Sequence, residues 1–506
     1  MSAPSETIQP TPSISSAVPP VTANKPPHVL IGGAGLAGLF LGILLERAGI
    51  PYEIFERSAE PRSLGAVMCL TPNILPAFEQ LGLLDELLSI SKPTITGVML
   101  TDKLKLIGKA VADCYDEIGY DRVLFSRPEL HAMLFKKIPK EKLHMSKKIV
   151  TLDQDQDGVT VTFDDNTTAR GDILVGADGA HSSVRQQLYK TLEKDGLLPK
   201  SDTKDTSKGY ICLLGTTSSL DPAKYPGVLE KESESYFMFG DKDTPYTVSY
   251  AGSVRDSWSV LEKNVVKKFP DWLTFTIPGN RICWNVIVQL GLSSTADEHA
   301  SSSGWTNQDN KKMMDEFRDF KTPYGTMGDL FDVSDIEKVS RVYFEDKLFE
   351  TWTHERTVLI GDAAHILLPS SGSGAANAMQ DAVLLANHLY DISPTNFKII
   401  KTALSDYKND RFDAIKDQYP QSHMSANLIF GHTFFERVFR HVVFSWLPKS
   451  LQGKQLIKDT AYRPQANFLP LAPKRGTMDV IPQRPSKRIE KEKEEAAKKE
   501  TAATAL

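Results

Sequence analysis

The chain has 506 residues, 41% of them apolar, and a formal net charge of -5; it is long enough to bury a large core and is expected to fold as two interleaved domains. That charge offers no basic field to gather a nucleic acid, and no run of about 18 uninterrupted apolar residues is present to span a membrane. Cys69, Cys114, Cys212 and Cys283 stand far apart without a C-x-x-C, which speaks against a metal knuckle or a redox pair and for reduced, partly buried thiols.

Residues 1–27 are rich in Ser, Pro and Thr and lack the apolar core of a secretory signal. They read as a disordered leader, with the cytoplasm as the expected location. The run from His28 to Ile31 is too short for a helix and is closed by glycine, as a buried strand is. Gly33, Gly35 and Gly38 follow in G-x-G-x-x-G spacing, a helical pattern runs from Leu36 to Ala48, and a second strand over Tyr52 to Phe55 ends at Glu56. In such a unit Gly33 permits a tight turn, Gly35 lets a pyrophosphate approach the backbone, and Gly38 lets helix and strand pack closely. Unpaired N–H groups at the helix start hold the phosphate charge. Glu56, about 20 residues further on, is placed to accept hydrogen bonds from a ribose diol, with Arg57 beside it. The glycines alone would suit a turn in an ordinary βαβ unit; strand, helix and acid together point to an adenine dinucleotide.

Residues 71–88 read as two short amphipathic helices punctuated by Gly82, residues 96–125 as one or two hairpins, and Ser126 as the N-cap of a helix through Phe135. Pro128 sits in its first turn, where a missing N–H is harmless. Residues 147–163 alternate as paired strands around an Asp157-Gly158 turn, and residues 171–185 read as strand, glycine turn and helix. From 208 to 290 strands dominate, at 210–214, 236–239, 246–250, 272–277 and 281–288, with Pro278-Gly-Asn280 as a turn. These suggest an antiparallel sheet with aromatic residues on one face, a floor for an apolar substrate. Residues 291–310 read as a polar loop, residues 355–365 return to the dinucleotide-domain pattern, and a helix runs from Gly374 to Tyr390. Residues 427–446 read as one aromatic-rich helix: packed on the dinucleotide domain, a lid over a channel, or a membrane-surface helix. Residues 482–506 form a solvated Lys/Glu/Ala tail.

Three motifs thus stand in a fixed order. The first is the glycine spacing with Glu56, and the second is Gly176-Ala-Asp-Gly-Ala-His-Ser-Ser-Val-Arg185. The third is Gly361-Asp-Ala-Ala-His-Ile-Leu-Leu-Pro369, followed by Gly372, Ser373, Gly374 and Ala375. Together they resemble the single-component, class A flavoprotein aromatic hydroxylases and related epoxidases, the p-hydroxybenzoate hydroxylase fold, over residues 28–190 and 340–395. Within that group the sequence looks most like fungal FAD-dependent monooxygenases of secondary metabolism. The expected architecture is α/β: a discontinuous Rossmann-like FAD-binding domain (28–205 and 335–395) interleaved with a mainly antiparallel β-sheet substrate domain (206–334). C-terminal helices (396–480) and a charged tail (481–506) follow.

The resemblance also implies roles. Asp362 would serve the ribityl hydroxyls and phosphate region of FAD, though Asp is equally a common helix cap. Pro369 and Gly372–Gly374 would feed a helix whose start, with Gly374 and Ala375, faces the flavin pyrimidine edge, where negative charge accumulates on reduction. Asp178 and Gly179 resemble a motif touching both FAD and NAD(P)H, with Arg185 after it; a turn Asp and a helix-surface Arg are the plain alternatives. Arg127 sits where the family places an FAD-contacting arginine, and a solvated arginine fits as well. The sequence departs from the family in having Ser373 for the usual glutamine and Ala376 for the usual asparagine, with Asn377 one place later.

By the same resemblance, NADPH or NADH reduces FAD, O₂ adds at flavin C4a, and the hydroperoxide delivers one oxygen atom to an apolar aromatic or isoprenoid-type molecule, with water excluded. No catalytic base is assigned. Tyr210, Tyr236, Tyr246 and Tyr250 qualify by position only, and His365 is read as a packed residue. No metal site is expected. An FAD-dependent oxidase or dehydrogenase would keep all three motifs; a flavin halogenase is disfavoured by the lack of W-x-W-x-I-P, and a nucleotide-binding scaffold without turnover is a third class.

Overall fold

The computed structural model describes residues 25–61, 65, 67–240, 246–248, 266–268, 270–289, 306–431, 433–446 and 449–504. Residues 1–24, 291–305 and Tyr250 lie outside the described residues; the remainder of the expected 291–310 loop is instead the start of the helix Asn307–Phe317, capped by Thr306.

The apolar strand Val29–Gly32 is wholly buried and pairs in parallel with Tyr52–Phe55 on one side and Ile173–Gly176 on the other. Ile173–Gly176 in turn pairs in parallel with Thr357–Leu359. The six-stranded sheet runs, in order, Thr353–His354, Thr357–Leu359, Ile173–Gly176, Val29–Gly32, Tyr52–Phe55 and Leu143–His144. A parallel sheet needs cover on both faces, and the buried helices Leu36–Ala48 and Gly374–Tyr390 pack together over it. Each of the three motifs leaves the carboxyl end of one of three neighbouring strands, where open α/β sheets bind their ligands.

The second sheet has eight strands in the order His365–Ile366, Ser340–Leu348, Ser207–Thr216, Arg281–Gln289, Asp271–Ile277, Ser235–Phe239, Thr96–Thr101 and Leu106–Val111. All neighbours are antiparallel except Ser235–Phe239 with Thr96–Thr101, which run parallel. The hairpin from residues 96–111 therefore completes a sheet built mainly from residues 207–348. Alternation along the strands divides its side chains between two faces. Trp272, Trp284, Leu213 and Val286 pack with Met313, Phe317, Met327 and Phe331, from the helices Asn307–Phe317 and Met327–Phe331. Tyr210, Cys212, Leu273 and Phe275 pack on the other side with Leu368, Ala426 and Phe430. The aromatic residues are thus shared between both faces rather than gathered on one, because the helix-covered face needs bulk as much as the inner one.

Two readings of helix ends need correction. The helix Arg127–Phe135 does start after Ser126, but the Ser126 hydroxyl makes no cap hydrogen bond. The aromatic segment 427–446 is two helices: Phe397–Phe430 ends at Gly431, whose backbone is extended, and Phe434–Trp446 starts anew. Thr433 Oγ1 and N donate to Glu436 Oε2, and Glu436 N donates back to Thr433 Oγ1, a capping box that restarts the helix. The tail is helical over Lys487–Thr504, and all four cysteines are free thiols.

Candidate functional site

The first turn is held by contacts no other residue would allow. Gly33 has φ +106°, and a Cβ on it would lie 2.5 Å from Ala177 O; one on Gly38 would lie 2.1 Å from Gly33 O. Gly33 N donates to Phe55 O, Ala177 N to Gly32 O and Ile360 N to Gly176 O, so the three motifs are stitched backbone to backbone. Gly35 differs: a Cβ there would meet only Ala177 O, at 3.8 Å. The helix it opens has no side-chain cap, which leaves first-turn N–H groups for an outside acceptor.

One groove collects Gly33, Gly35, Glu56, Arg57, Arg127, Asp178 and Gly179. Gly38 lies behind it, packing helix on strand. The Glu56 carboxylate is oriented by Ala34 N and Ser58 N, each donating at 2.9 Å. Arg127 lies against Gly65, whose φ of +125° makes room for its stem. The Asp178 carboxylate accepts from the Ser182 hydroxyl, from Ser183 Oγ at 3.0 Å and from Val184 N at 3.1 Å. Those bonds fix the start of the helix Ser183–Lys194, so Asp178 braces the turn, and what the turn shows the groove is its backbone and Gly179. Arg185 is no surface residue. It is buried over the Phe349 ring at 4.0 Å and donates to Ala180 O at 2.5 Å, Ala363 O at 3.0 Å and Asp362 O at 3.4 Å. It therefore staples the second motif to the third.

Asp362, Gly374 and Ala375 are not among the residues that line this groove. Solvent reaches the Asp362 side chain, yet protein crowds it closely. That loss of hydration raises its pKa, against the nearby positive charges of His365, Arg127 and Arg185. The helix Gly374–Tyr390 starts without a side-chain cap, and a Cβ on Gly374 would meet nothing within 4 Å. Two uncapped helix starts, open space at Gly35, Gly179 and Gly374, and carboxylates at Glu56 and Asp362 suit an extended dinucleotide with hydroxyl-bearing linkers.

Asn377 does not replace the asparagine missing at 376. One residue along a helix is about 100° of rotation, and its amide instead donates to Ser373 O at 3.1 Å and Gln418 Oε1 at 2.7 Å. Its own Oδ1 accepts from Arg411 Nη2 at 2.6 Å. Behind the third motif, fully buried Asp381 takes hydrogen bonds from Arg411 Nε and His365 Nε2 at 2.6 Å each and from Gly361 N at 2.8 Å. This assigns His365 to holding the loop. Leu368 leaves that loop to join the inner face of the eight-stranded sheet, beside Tyr210, Phe275 and Phe430. Tyr236 faces the far side, edge-on to Tyr324 at 5.8 Å, so it stands apart from that cluster. Tyr210 belongs to the cluster, its phenol pushed up to about 12, mainly by burial.

Sequence reasoning passed over His131, Lys147, Lys148 and His181, which also line the groove. His131 had a readable signal: it follows Arg127 by four residues on one helix face, and its Nε2 lies 2.8 Å from Ala34 O. The lysines come from a separate meander, which no local pattern places here.

The sequence family described as FAD binding domain matches residues 27–203 and 306–411. Over 458 residues the chain is 26% identical to the FAD-dependent monooxygenase esdpE of Penicillium shearii, covering 88% of this chain and 86% of that one. Over 456 residues it is 27% identical to the FAD-dependent monooxygenase ptmM of Penicillium ochrochloron, covering 86% and 98%. Among solved structures, Klebsiella pneumoniae HpxO complexed with FAD and uric acid shares the fold, with TM-score 0.66 and 19% identity over 86% of this chain and 97% of that one. The chain belongs to the FAD binding domain family and is a flavoprotein monooxygenase.

Proposed function

We propose that the chain uses NAD(P)H and O₂ to hydroxylate or epoxidise an apolar, aromatic or isoprenoid-type small molecule in the cytoplasm. Peripheral contact with membranes belongs to this reading, since such substrates partition into lipid. In it, Gly33, Gly35 and the uncapped helix start hold the pyrophosphate of FAD, Glu56 its ribose, and Arg57 and Arg127 flank the phosphates. Asp362 takes the ribityl side, and the helix start at Gly374 and Ala375 receives the charge that collects on the flavin edge. Asp178 and Arg185 position those turns. Bound FAD supplies the oxygen-activating redox chemistry.

The chain's own task is to orient the substrate and keep water away. Tyr210, Leu273, Phe275, Leu368 and Phe430 do this as one apolar cluster. The observation that carries the proposal is Leu368: the loop that follows Asp362 packs Leu368 into that apolar cluster, which supports a substrate site beside the cofactor's reactive end. The division into a 28–205/335–395 cofactor domain and a 206–334 substrate domain is part of the proposal, with the 96–111 hairpin lent to the second sheet.

The test is turnover of candidate terpenoid and phenolic substrates under ¹⁸O₂ with NADPH. Incorporation of one labelled atom per product is the expected result. Oxidised product without label, together with stoichiometric peroxide, would establish an oxidase or dehydrogenase instead.

A further inference from the structure

Among the described residues no helix is long and apolar enough to cross a membrane, yet Phe434–Trp446 turns the usual order of an amphipathic helix inside out. It lies along the edge strand Leu106–Val111, with Ser445 Oγ donating to Ile107 O at 2.5 Å and the Phe444 backbone pressed on Gly108. Arg440 and Glu436 point inward, while Arg437, His441 and Ser445 stay exposed. Arg440 is buried, donating to Leu428 O at 2.9 Å and to Gly431 O, with its guanidinium 4.0 Å over the Phe239 ring. Glu436 is half-buried and engaged in the capping box. Outward, at i, i+3, i+4, i+7 and i+11, stand Phe435, Val438, Phe439, Val442 and Trp446, with Phe435 81% and Trp446 78% exposed. An exposed stripe of large apolar side chains on one helix face marks an interaction surface.

Its surroundings identify the partner. Leu106, on the edge strand, is also exposed. The exposed charges of the helix and the adjoining hairpin are Arg437, Lys103, Lys105 and Lys109, against a half-buried Asp102. A second copy docking by two-fold symmetry would set this cationic rim against itself. An anionic bilayer matches both parts: acyl chains for the stripe, phosphate and carboxylate headgroups for the lysines, and the interface region for the tryptophan. Phe430, four residues before the helix, belongs to the apolar cluster of Tyr210, Phe275 and Leu368.

We propose that this face docks the protein on anionic phospholipid membranes, with Phe435, Phe439 and Trp446 in the acyl boundary and apolar substrate passing from lipid to the chamber past Phe430. The substrate route rests on the oxygenation proposed above; the docking sharpens the membrane contact named there and stands on the helix face and hairpin charges alone.

Flotation of the FAD-loaded full chain with phosphatidylcholine vesicles, with and without about one-third phosphatidylserine, tests the docking. The chain is expected to float with the anionic vesicles and to be released by high salt. Combined Phe435→Ser, Phe439→Ser and Trp446→Ser should weaken vesicle affinity on the order of a hundredfold, and Lys105→Glu with Lys109→Glu should remove the lipid-charge preference. Both variants should keep the flavin spectrum and melting temperature, because the altered side chains are exposed. Brominated lipids should quench a fluorescence component that is absent in Trp446→Phe. Failure to float on either vesicle, or flotation indifferent to the triple substitution, overturns the proposal. A dimer in lipid-free buffer that the triple variant dissociates overturns it in favour of a protein interface. A chain that floats yet inserts no ¹⁸O leaves the docking standing and refutes only the function above.

Discussion

Gly35→Ala separates a ligand cradle from a packing glycine. The added methyl would find only Ala177 O, at 3.8 Å, an ordinary contact, and Gly35 has φ -75°, which any residue adopts. The apoprotein therefore has nothing to lose, and restricting the unfolded chain should stabilise it by about 0.4–1 kcal/mol. The same methyl stands over the uncapped helix start, where the phosphates of FAD must close on backbone N–H groups. Losing one charged hydrogen bond costs about 1.5–3 kcal/mol, which corresponds to a roughly 10- to 150-fold rise in the Kd for FAD. Flavin-fluorescence titration of the apoprotein reads that change, and a melting curve of the same preparation reads the fold. A Kd within about twofold of the parent, with melting unaltered, would refute the placement of the pyrophosphate. A fall in apoprotein melting temperature would refute the account of the turn itself.

Gly38→Ala should behave in the opposite way: a Cβ 2.1 Å from Gly33 O forces helix from strand and should destabilise the apoprotein by about 1–3 kcal/mol, visible in a urea melt without cofactor. Arg411→Met removes the guanidinium beside buried Asp381, leaving it only the hydrogen bonds from His365 Nε2 and Gly361 N, and should cost about 3–5 kcal/mol in the same assay, with Asp381→Asn added on top recovering part of the loss. The imidazoles of His144 and His28, 2.8 and 3.2 Å from its carboxylate oxygens, hold the Glu53 carboxyl down at about 2, below its usual 4.5. A depressed folded-state pKa stabilises above the unfolded value and is lost as protonation sets in, so melting temperature should fall from pH 4.5 toward pH 2. Glu53→Gln should flatten that limb and leave the curve near neutrality with little pH slope of its own.

What could be read from the sequence was what is local. Strand, glycine spacing, helix and Glu56 lie within thirty consecutive residues, and each step leaves its own compositional mark. The limits of the helix Gly374–Tyr390 were equally plain, from the glycines before it and the apolar periodicity within. Pairing across distance left no such mark. Nothing in residues 96–111 says that they join Ser235–Phe239 in parallel, since register is settled by the sheet's shared faces. The roles of Asp178 and Arg185 were hidden for a like reason: whether a polar side chain meets a ligand or a carbonyl depends on partners far along the chain. The break at Gly431 was legible but overlooked; Thr433-Phe-Phe-Glu436 is a capping box in plain sequence, masked by the run of aromatics around it. Those aromatics suggested burial, whereas the fold turns Arg440 inward and Phe435 outward.

The central claim is that three glycine turns at the ends of neighbouring strands hold one FAD whose reactive end meets the apolar wall at Leu368. A crystal structure of the FAD-reconstituted chain tests it most directly. The account predicts one FAD per chain, its adenosine ribose on Glu56, its ribityl chain beside Asp362 and its ring between the Gly374 helix start and the Tyr210–Phe275 face. An FAD bound elsewhere, or with its ring at the Glu56 end of the groove, would contradict it.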